Sequence, residues 1–189
     1  ASMVQTGLSE PWDVVACDKS QERRDLIAKQ YGVAVTDDVA QTVKDCKVLI
    51  VAVKPQDLDA MLAEAHRLGF YTNLLTSGVG LTEARARALK DAGLAHIQLS
   101  FQDSTRELND FLSHTRTFEL KQKVAAIIKD NGWPMVMNCV IHRLNIDYID
   151  RIIDMAVELG AEYLELANSQ YYSWAMLNRC RSPGIFDFA

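Results

Sequence analysis

Cysteine is scarce and scattered in this chain, and that scarcity excludes more chemistry than any other feature. The four thiols are Cys17, Cys46, Cys139 and Cys180, whereas thiolates that share a metal or iron–sulfur cluster recur at spacings of about two to four residues. They are expected to be mostly buried small hydrophobes. The histidines, His66, His96, His114 and His142, are equally far apart, so no zinc constellation forms and no metal ligand is assigned. Basic charge is also lacking: 20 Lys and Arg against 25 Asp and Glu leave a net charge of -5, without the positive stripe that releases counterions from nucleic acid. Long apolar runs are missing too. Val48 to Val53 is the longest, far short of the roughly 20 residues of a membrane-spanning helix, so neither nucleic acid nor a membrane is an expected partner. No basic start followed by an apolar signal core is seen, which makes a cytoplasmic compartment the expected one. With only 9 Gly and 4 Pro, no linker interrupts the pattern between Trp12 and Ala167.

What is present is a repeating unit. Five times a charged amphipathic stretch ends at a glycine, Gly32, Gly69, Gly93, Gly132 or Gly160, and an apolar β-branched run follows. Glycine suits the left-handed residue that stops a helix. The runs Val14 to Cys17, Val33 to Thr36, Val48 to Val53, Tyr71 to Thr76, His96 to Phe101, Met135 to Ile141 and Tyr163 to Ala167 read as buried strands. Between them, Gln21 to Tyr31, Asp57 to Leu68, Thr82 to Ala92, Phe118 to Asn131 and Ile146 to Leu159 read as helices. In the last, Ile149, Ile152, Ile153, Ala156 and Val157 form the expected core stripe. The fold class is therefore α/β, a parallel sheet of repeated βα units, built as a partial (βα) barrel or an open Rossmann-like sheet. One continuous sheet is the economical arrangement, and its free edges would recruit a second copy of the chain. The tail 179–189 does not continue the repeat.

Ligands of parallel α/β proteins bind at the carboxyl ends of the strands, where loops converge and helix N-termini point. The segments that fall there are Val53-Lys54-Pro55-Gln56, Thr76-Ser77-Gly78-Val79-Gly80, Ser100-Phe101-Gln102-Asp103-Ser104, Asn138 with His142-Arg143-Leu144-Asn145, and Asn168-Ser169-Gln170-Tyr171-Tyr172. Their amides and hydroxyls suit a ribose or an amino-acid headgroup better than acid–base catalysis. A plainer role competes with this one, since Asp57, Thr82 and Asn145 stand where helix caps belong. His142 ends a strand, where both a ligand contact and a structural role are open. No Gly-x-Ser-x-Gly occurs, and Gly78-Val79-Gly80 is too short for a dinucleotide fingerprint. No catalytic residue is assigned.

From about Ala63 to Asn178 the chain resembles the radical S-adenosylmethionine (SAM) enzyme of pyrroloquinoline quinone biosynthesis. The residues that carry the resemblance are Arg67-Leu68-Gly69-Phe70-Tyr71-Thr72-Asn73-Leu74-Leu75-Thr76-Ser77-Gly78-Val79, His96-Ile97-Gln98-Leu99-Ser100-Phe101-Gln102-Asp103, Val140-Ile141-His142-Arg143-Leu144-Asn145-Ile146-Asp147 and Asn168-Ser169-Gln170-Tyr171-Tyr172-Ser173-Trp174-Ala175-Met176-Leu177-Asn178. The resemblance implies a partial barrel, SAM as ligand, a precursor peptide as partner, and Ser100, Gln102 and Asn138 on the ribose side of SAM. That family's Cys-x3-Cys-x2-Cys motif and the Gly-Gly-Glu-Pro segment after it are not in this chain. No iron–sulfur cluster is therefore expected from it, and activity alone is not expected.

The first sixty residues resemble a different family, pyrroline-5-carboxylate reductase, through Trp12-Asp13-Val14-Val15-Ala16-Cys17-Asp18-Lys19, Tyr31-Gly32-Val33-Ala34-Val35-Thr36-Asp37-Asp38 and Val48-Leu49-Ile50-Val51-Ala52-Val53-Lys54-Pro55-Gln56. That resemblance implies a Rossmann-like fragment and an NADP contact at Ala52, Val53, Lys54 and Pro55. The Gly-x-Gly loop of that family is absent. Together the two divide the chain into a Rossmann-like 1–62, a radical SAM partial-barrel 63–178 and the tail 179–189, joined within a helix near Leu58 to Glu64. An engineered or misassembled α/β protein without native activity is the remaining alternative.

Overall fold

The computed structural model describes Val4, residues 7–43, 46–51 and 58–168. Two compact units make up the chain, Ala1–Ala52 and Val53–Ala189. In the first, a single 3-10 turn, Pro11–Asp13, leads to β1 (Val15–Cys17), α1 (Gln21–Tyr31), β2 (Ala34–Thr36) and a short helix α2 (Val39–Val43). β1 and β2 lie parallel with Val15 opposite Ala34 and Cys17 opposite Thr36, so the βαβ expectation holds for these elements. Ser20 caps α1 by accepting the Arg23 N–H, and Gly32 ends it at φ 67°. The expected strand Val48 to Val53 is not formed across its described part, 48–51, and Val48 and Ile50 stand exposed.

The second unit holds α3 (Leu58–Arg67), β3 (Asn73–Thr76), α4 (Glu83–Asp91), β4 (His96–Phe101), α5 (Arg106–Ser113), α6 (Phe118–Asp130), β5 (Met135–Ile141), α7 (Ile149–Glu158) and β6 (Tyr163–Asn168). A 3-10 turn, Ile146–Tyr148, precedes α7. The sheet runs β3-β4-β5-β6 in chain order, and every pair is parallel. Parallel neighbours taken in order need a crossover each time, and crossovers of one hand carry their helices to one face. The core agrees with this. Ile97, Leu99 and Phe101 of β4 and Met135, Met137 and Cys139 of β5 pack in one cluster with Leu62 of α3, Leu89 of α4, Val124 and Ile128 of α6 and Ile152 of α7. One correction to the expected architecture follows: the described strands form two sheets, of two and four strands, instead of one. Leu58 and Leu62 belong with the second unit, where Leu62 is buried and Leu58 packs on its core.

Two further expectations change in detail. The α7 stripe that reaches the core is Ile149, Ile152, Met155 and Ala156, while Ile153 and Val157 face outward, Val157 at 74% exposure. At about 100° per residue the first four share one arc, and Ile153 and Val157 lie beyond its edge. Of the described cysteines only Cys139 is buried; Cys17 is exposed and Cys46 half-buried. α5 was not anticipated, because its apolar positions are interrupted by Asn109.

All five helix-stopping glycines have positive φ. Gly93, at φ 92°, is the most constrained, because a Cβ there would sit 2.3 Å from Cγ of His66. Gly160, at φ 69°, would meet only Lys129 Cε at 3.6 Å. Gly160→Ala is expected to cost about 1 kcal/mol for the left-handed backbone alone. Gly93→Ala adds the displacement of His66 and α3 and costs more; urea denaturation of both variants checks the order, and equal costs would contradict it.

His142, buried just past β5, accepts the Leu144 N–H at Nδ1, 3.2 Å away. Burial lowers its pKa from the ordinary value of 6.5, although the Asp103 charge opposes this. Burial lowers that of His96 as well, against the charge of Glu162. Both imidazoles are neutral in the fold, so the unfolded chain binds more protons below about pH 6.5 and stability falls as pH drops from there toward the folded values. Thermal melts between pH 7 and pH 5 are expected to show this loss. His142→Asn, which keeps an acceptor for Leu144, should flatten it; an unchanged slope would remove His142 from the account.

Candidate functional site

Side chains alternate along each strand, and residues paired in parallel strands share a face. The face opposite the helices therefore carries Asn73 and Leu75 of β3, His96, Gln98 and Ser100 of β4, Val136, Asn138 and Val140 of β5, and Tyr163, Glu165 and Ala167 of β6. More than half of these are polar. Gln98 Nε2 donates to Glu165 Oε2 across β5. Nearer the carboxyl ends, Ser100 pairs in register with Asn138, and Asn138 with Glu165.

Of the residues expected on the ribose side of SAM, Ser100 and Asn138 are thus brought together on the open face, and Gln102 lies just beyond the end of β4. All three are half-buried, and none of their side chains enters a hydrogen bond among the described residues. Half-buried hydroxyl and amide groups without protein partners are available to a ligand with several neutral donors and acceptors. Ala52, Val53, Lys54 and Pro55, the expected NADP contacts, lie outside the described residues, as do Asp57 and 169–178.

The backbone around the mouth is held by buried amides. Asn145 Nδ2 donates to the carbonyls of Gln102 (2.8 Å) and Val140 (3.0 Å), and its Oδ1 accepts the His142 N–H (2.8 Å). It stands at the expected cap position but makes no side-chain cap bond to the 3-10 turn. Thr82, by contrast, does cap α4, accepting the Arg85 N–H. Asn109 Oδ1 accepts the Gln102 N–H at 3.0 Å, and its Nδ2 donates to Asp110 Oδ1 at 3.1 Å. Asp110 Oδ1 also takes the Thr117 and Phe118 N–H groups at the start of α6. Desolvation pushes the Asp110 carboxyl up, but the hydrogen bonds from Asn109, Phe118 and Thr117 and the Arg106 charge bring it below its ordinary value. Sequence reasoning missed Asn109; the available signal was a poor helix former in the middle of a helix.

On the helix side of β4 the groups are sealed rather than presented. Asp103 Oδ2 accepts both the N–H and the hydroxyl of Thr105, while Asp103 Oδ1 and Ser104 Oγ are buried without a partner among the described residues. Lys121, 2% exposed, holds Nζ 5.6 Å from the centre of the Phe101 ring, and burial lowers its pKa against the charge of Asp110. Burial, helped by the Asp103 charge, pushes the Cys139 thiol up to about 12. Such a thiol carries no thiolate near neutral pH. Among the described residues no three His, Cys, Asp or Glu side chains converge as a metal site, and no helix is long and apolar enough to cross a membrane.

Several solved structures share this arrangement. Streptococcus suis SuiB bound to S-adenosylmethionine superposes with a TM-score of 0.55 at 20% identity, over 63% of this chain and 28% of that one. SuiB bound to the precursor peptide SuiA gives 0.53 at 21% identity, over 66% and 30%. Native anSMEcpe with bound AdoMet and the Kp18Cys peptide gives 0.53 at 18%, over 62% and 35%. At these identities the likeness concerns the fold, and the chain spans about a third or less of each structure's length. The parallel sheet of βα units is thereby consistent with the partial (βα) barrel expected from the sequence. The sequence model of the radical SAM superfamily matches residues 29–156, a stretch that also takes in the later part of the segment expected to be reductase-like. With that model covering more than half of its length, this chain belongs to the radical SAM superfamily.

Proposed function

We propose that this chain forms the nucleoside-facing wall of a radical SAM barrel that acts on a peptide, and that it performs no radical chemistry by itself. Ser100, Gln102 and Asn138 are the residues that meet the ribose side of SAM. The observation that carries the reading is the register of Ser100, near the carboxyl end of β4, with Asn138 in the middle of β5, on the face opposite the helices. A ribose diol needs neighbouring neutral donors and acceptors, and a hydroxyl beside an amide supplies both.

A bound iron–sulfur cluster supplies the electron that cleaves SAM in enzymes of this superfamily. The residues of this chain do not fit one. None of the four cysteines stands at cluster spacing, and the buried Cys139 holds its proton. What the chain contributes is placement: neutral polar groups on a rigid strand pair, with the peptide backbone behind them already satisfied.

The peptide partner is supported by the SuiB and anSMEcpe complexes, whose bound peptides belong to those proteins. A narrower assignment, to the pyrroloquinoline quinone branch with its Glu- and Tyr-bearing precursor, rests on the segments 67–79, 96–103, 140–147 and 168–178. The division at residue 62 rests in the same way on the reductase-like segments before it.

Isothermal titration of the chain with SAM and with S-adenosylhomocysteine tests the site. Ser100→Ala and Asn138→Ala are each expected to weaken binding about three- to tenfold, the loss of a hydrogen bond worth ~1 kcal/mol. A cooperatively folded chain that takes up neither compound would overturn the reading. Iron content after anaerobic reconstitution is expected near background, and four irons per chain would refute the inactive assignment.

A further inference from the structure

Gln102 occupies an unusual place in the ladder. The last residue of β4 paired with β5 is Phe101, opposite Cys139, so Ser100 and Asn138 are held by strand pairing while Gln102 lies one residue past it. Its peptide groups are nonetheless both engaged, one by each of two fully buried asparagines. Asn109, from α5, accepts the Gln102 N–H at 3.0 Å, and Asn145, from the loop after β5, donates to the Gln102 carbonyl at 2.8 Å. The same Asn145 nitrogen reaches the Val140 carbonyl at 3.0 Å. It thus bridges β4 to β5 with a side chain where the backbone ladder has stopped. Asn109 in turn is tied through Asp110 to the start of α6.

We propose that Asn109 and Asn145 are positioning residues for Gln102. They extend the ladder by one residue and hold the Gln102 side chain at the mouth, where it takes a hydroxyl or amine of the bound nucleoside. The inference deepens the reading of the site as a SAM pocket and rests on it. Three features favour positioning over simple loop anchorage. Both asparagines spend hydrogen bonds on the same residue, from opposite sides of its Cα. Asn145 does so in place of the capping role its position offers. The side chain of Gln102 enters no hydrogen bond among the described residues, so the clasp fixes a group whose own polar atoms are uncommitted.

A double-mutant cycle on the full chain tests this, with SAM affinity by calorimetry and hydrogen exchange by NMR as the readouts. Gln102→Ala and Asn145→Ala are each expected to weaken SAM about three- to tenfold, and the double variant to bind no worse than the poorer single one. Asn145→Ala should also speed exchange of the Gln102 N–H, whose own acceptor Asn109 is intact, more than that of Leu99 within β4. Additive losses in the cycle, or exchange that rises uniformly with lower thermal stability, would show anchorage only and overturn the proposal. If Asn145→Ala loses its cooperative melt, Asn145→Ser, which retains a hydroxyl at the site, carries the same cycle. Absence of SAM binding by the folded wild type would defeat the functional reading instead, and selective exchange at Gln102 then decides the clasp by itself.

Discussion

Everything in the larger unit depends on parallel pairing of strands in chain order. Because β3, β4, β5 and β6 are neighbours in sequence and in space, each return path crosses the same side of the sheet. The helices then bury that side alone, through Ile97, Leu99, Phe101, Met135, Met137 and Cys139. The other side is freed from the requirement to be apolar. Gln98, Ser100, Asn138 and Glu165 can stand there because no described helix packs on them, and the sheet thus separates a sealed face from a polar one.

The two ends of the strands are held by different chemistry. At the amino ends, Trp133 Nε1 donates to the Leu94 carbonyl, the Thr72 hydroxyl links Gly93 and Ala95, and Glu162 takes the Met135 N–H. These bonds join segments 21 to 39 residues apart. At the carboxyl ends, Asn109, Asp110 and Asn145 form a set connected through the Gln102 backbone, in which side-chain amides and the Asp110 carboxylate satisfy peptide groups left over where pairing stops. A buried peptide group without a partner is costly, so the mouth is built from side chains that can meet an N–H and a carbonyl at once.

Membership of the radical SAM superfamily and lack of cluster-spaced cysteines in one chain separate two tasks that such enzymes combine. Electron delivery needs thiolates close together, and Cys139 shows the opposite environment: dry, packed among apolar side chains, and protonated. The proposed nucleoside contact would instead use neutral groups, Ser100, Gln102 and Asn138. The division is physical, since a thiolate ligand wants access, and on the core side of β5 burial outweighs the Lys121 charge that would favour a thiolate.

Much of the fold could be read directly from the residues. The strands His96–Phe101 and Met135–Ile141 and the helix Gln21–Tyr31 have the bounds their apolar runs and glycine stops indicate, because burial on a parallel sheet and the left-handed helix stop both leave local marks. Ser100 and Gln102 were legible as strand-end polar residues for the same reason, whereas Asn138, also expected there, stands in the middle of β5. The rest was settled by contacts between residues far apart in sequence. Whether Val48 to Val53 becomes a strand depends on a partner strand, which its composition does not supply, and which arc of α7 is buried depends on how the helix lies on β5 and β6. Asn145 looks locally like a cap; only when the β4 end comes within reach does its amide turn to Gln102, 43 positions earlier in the chain. Local sequence determined the βα rhythm and the polar strand ends, through propensity and burial, while tertiary structure alone decided which of those polar groups hold the backbone and which make no hydrogen bond among the described residues.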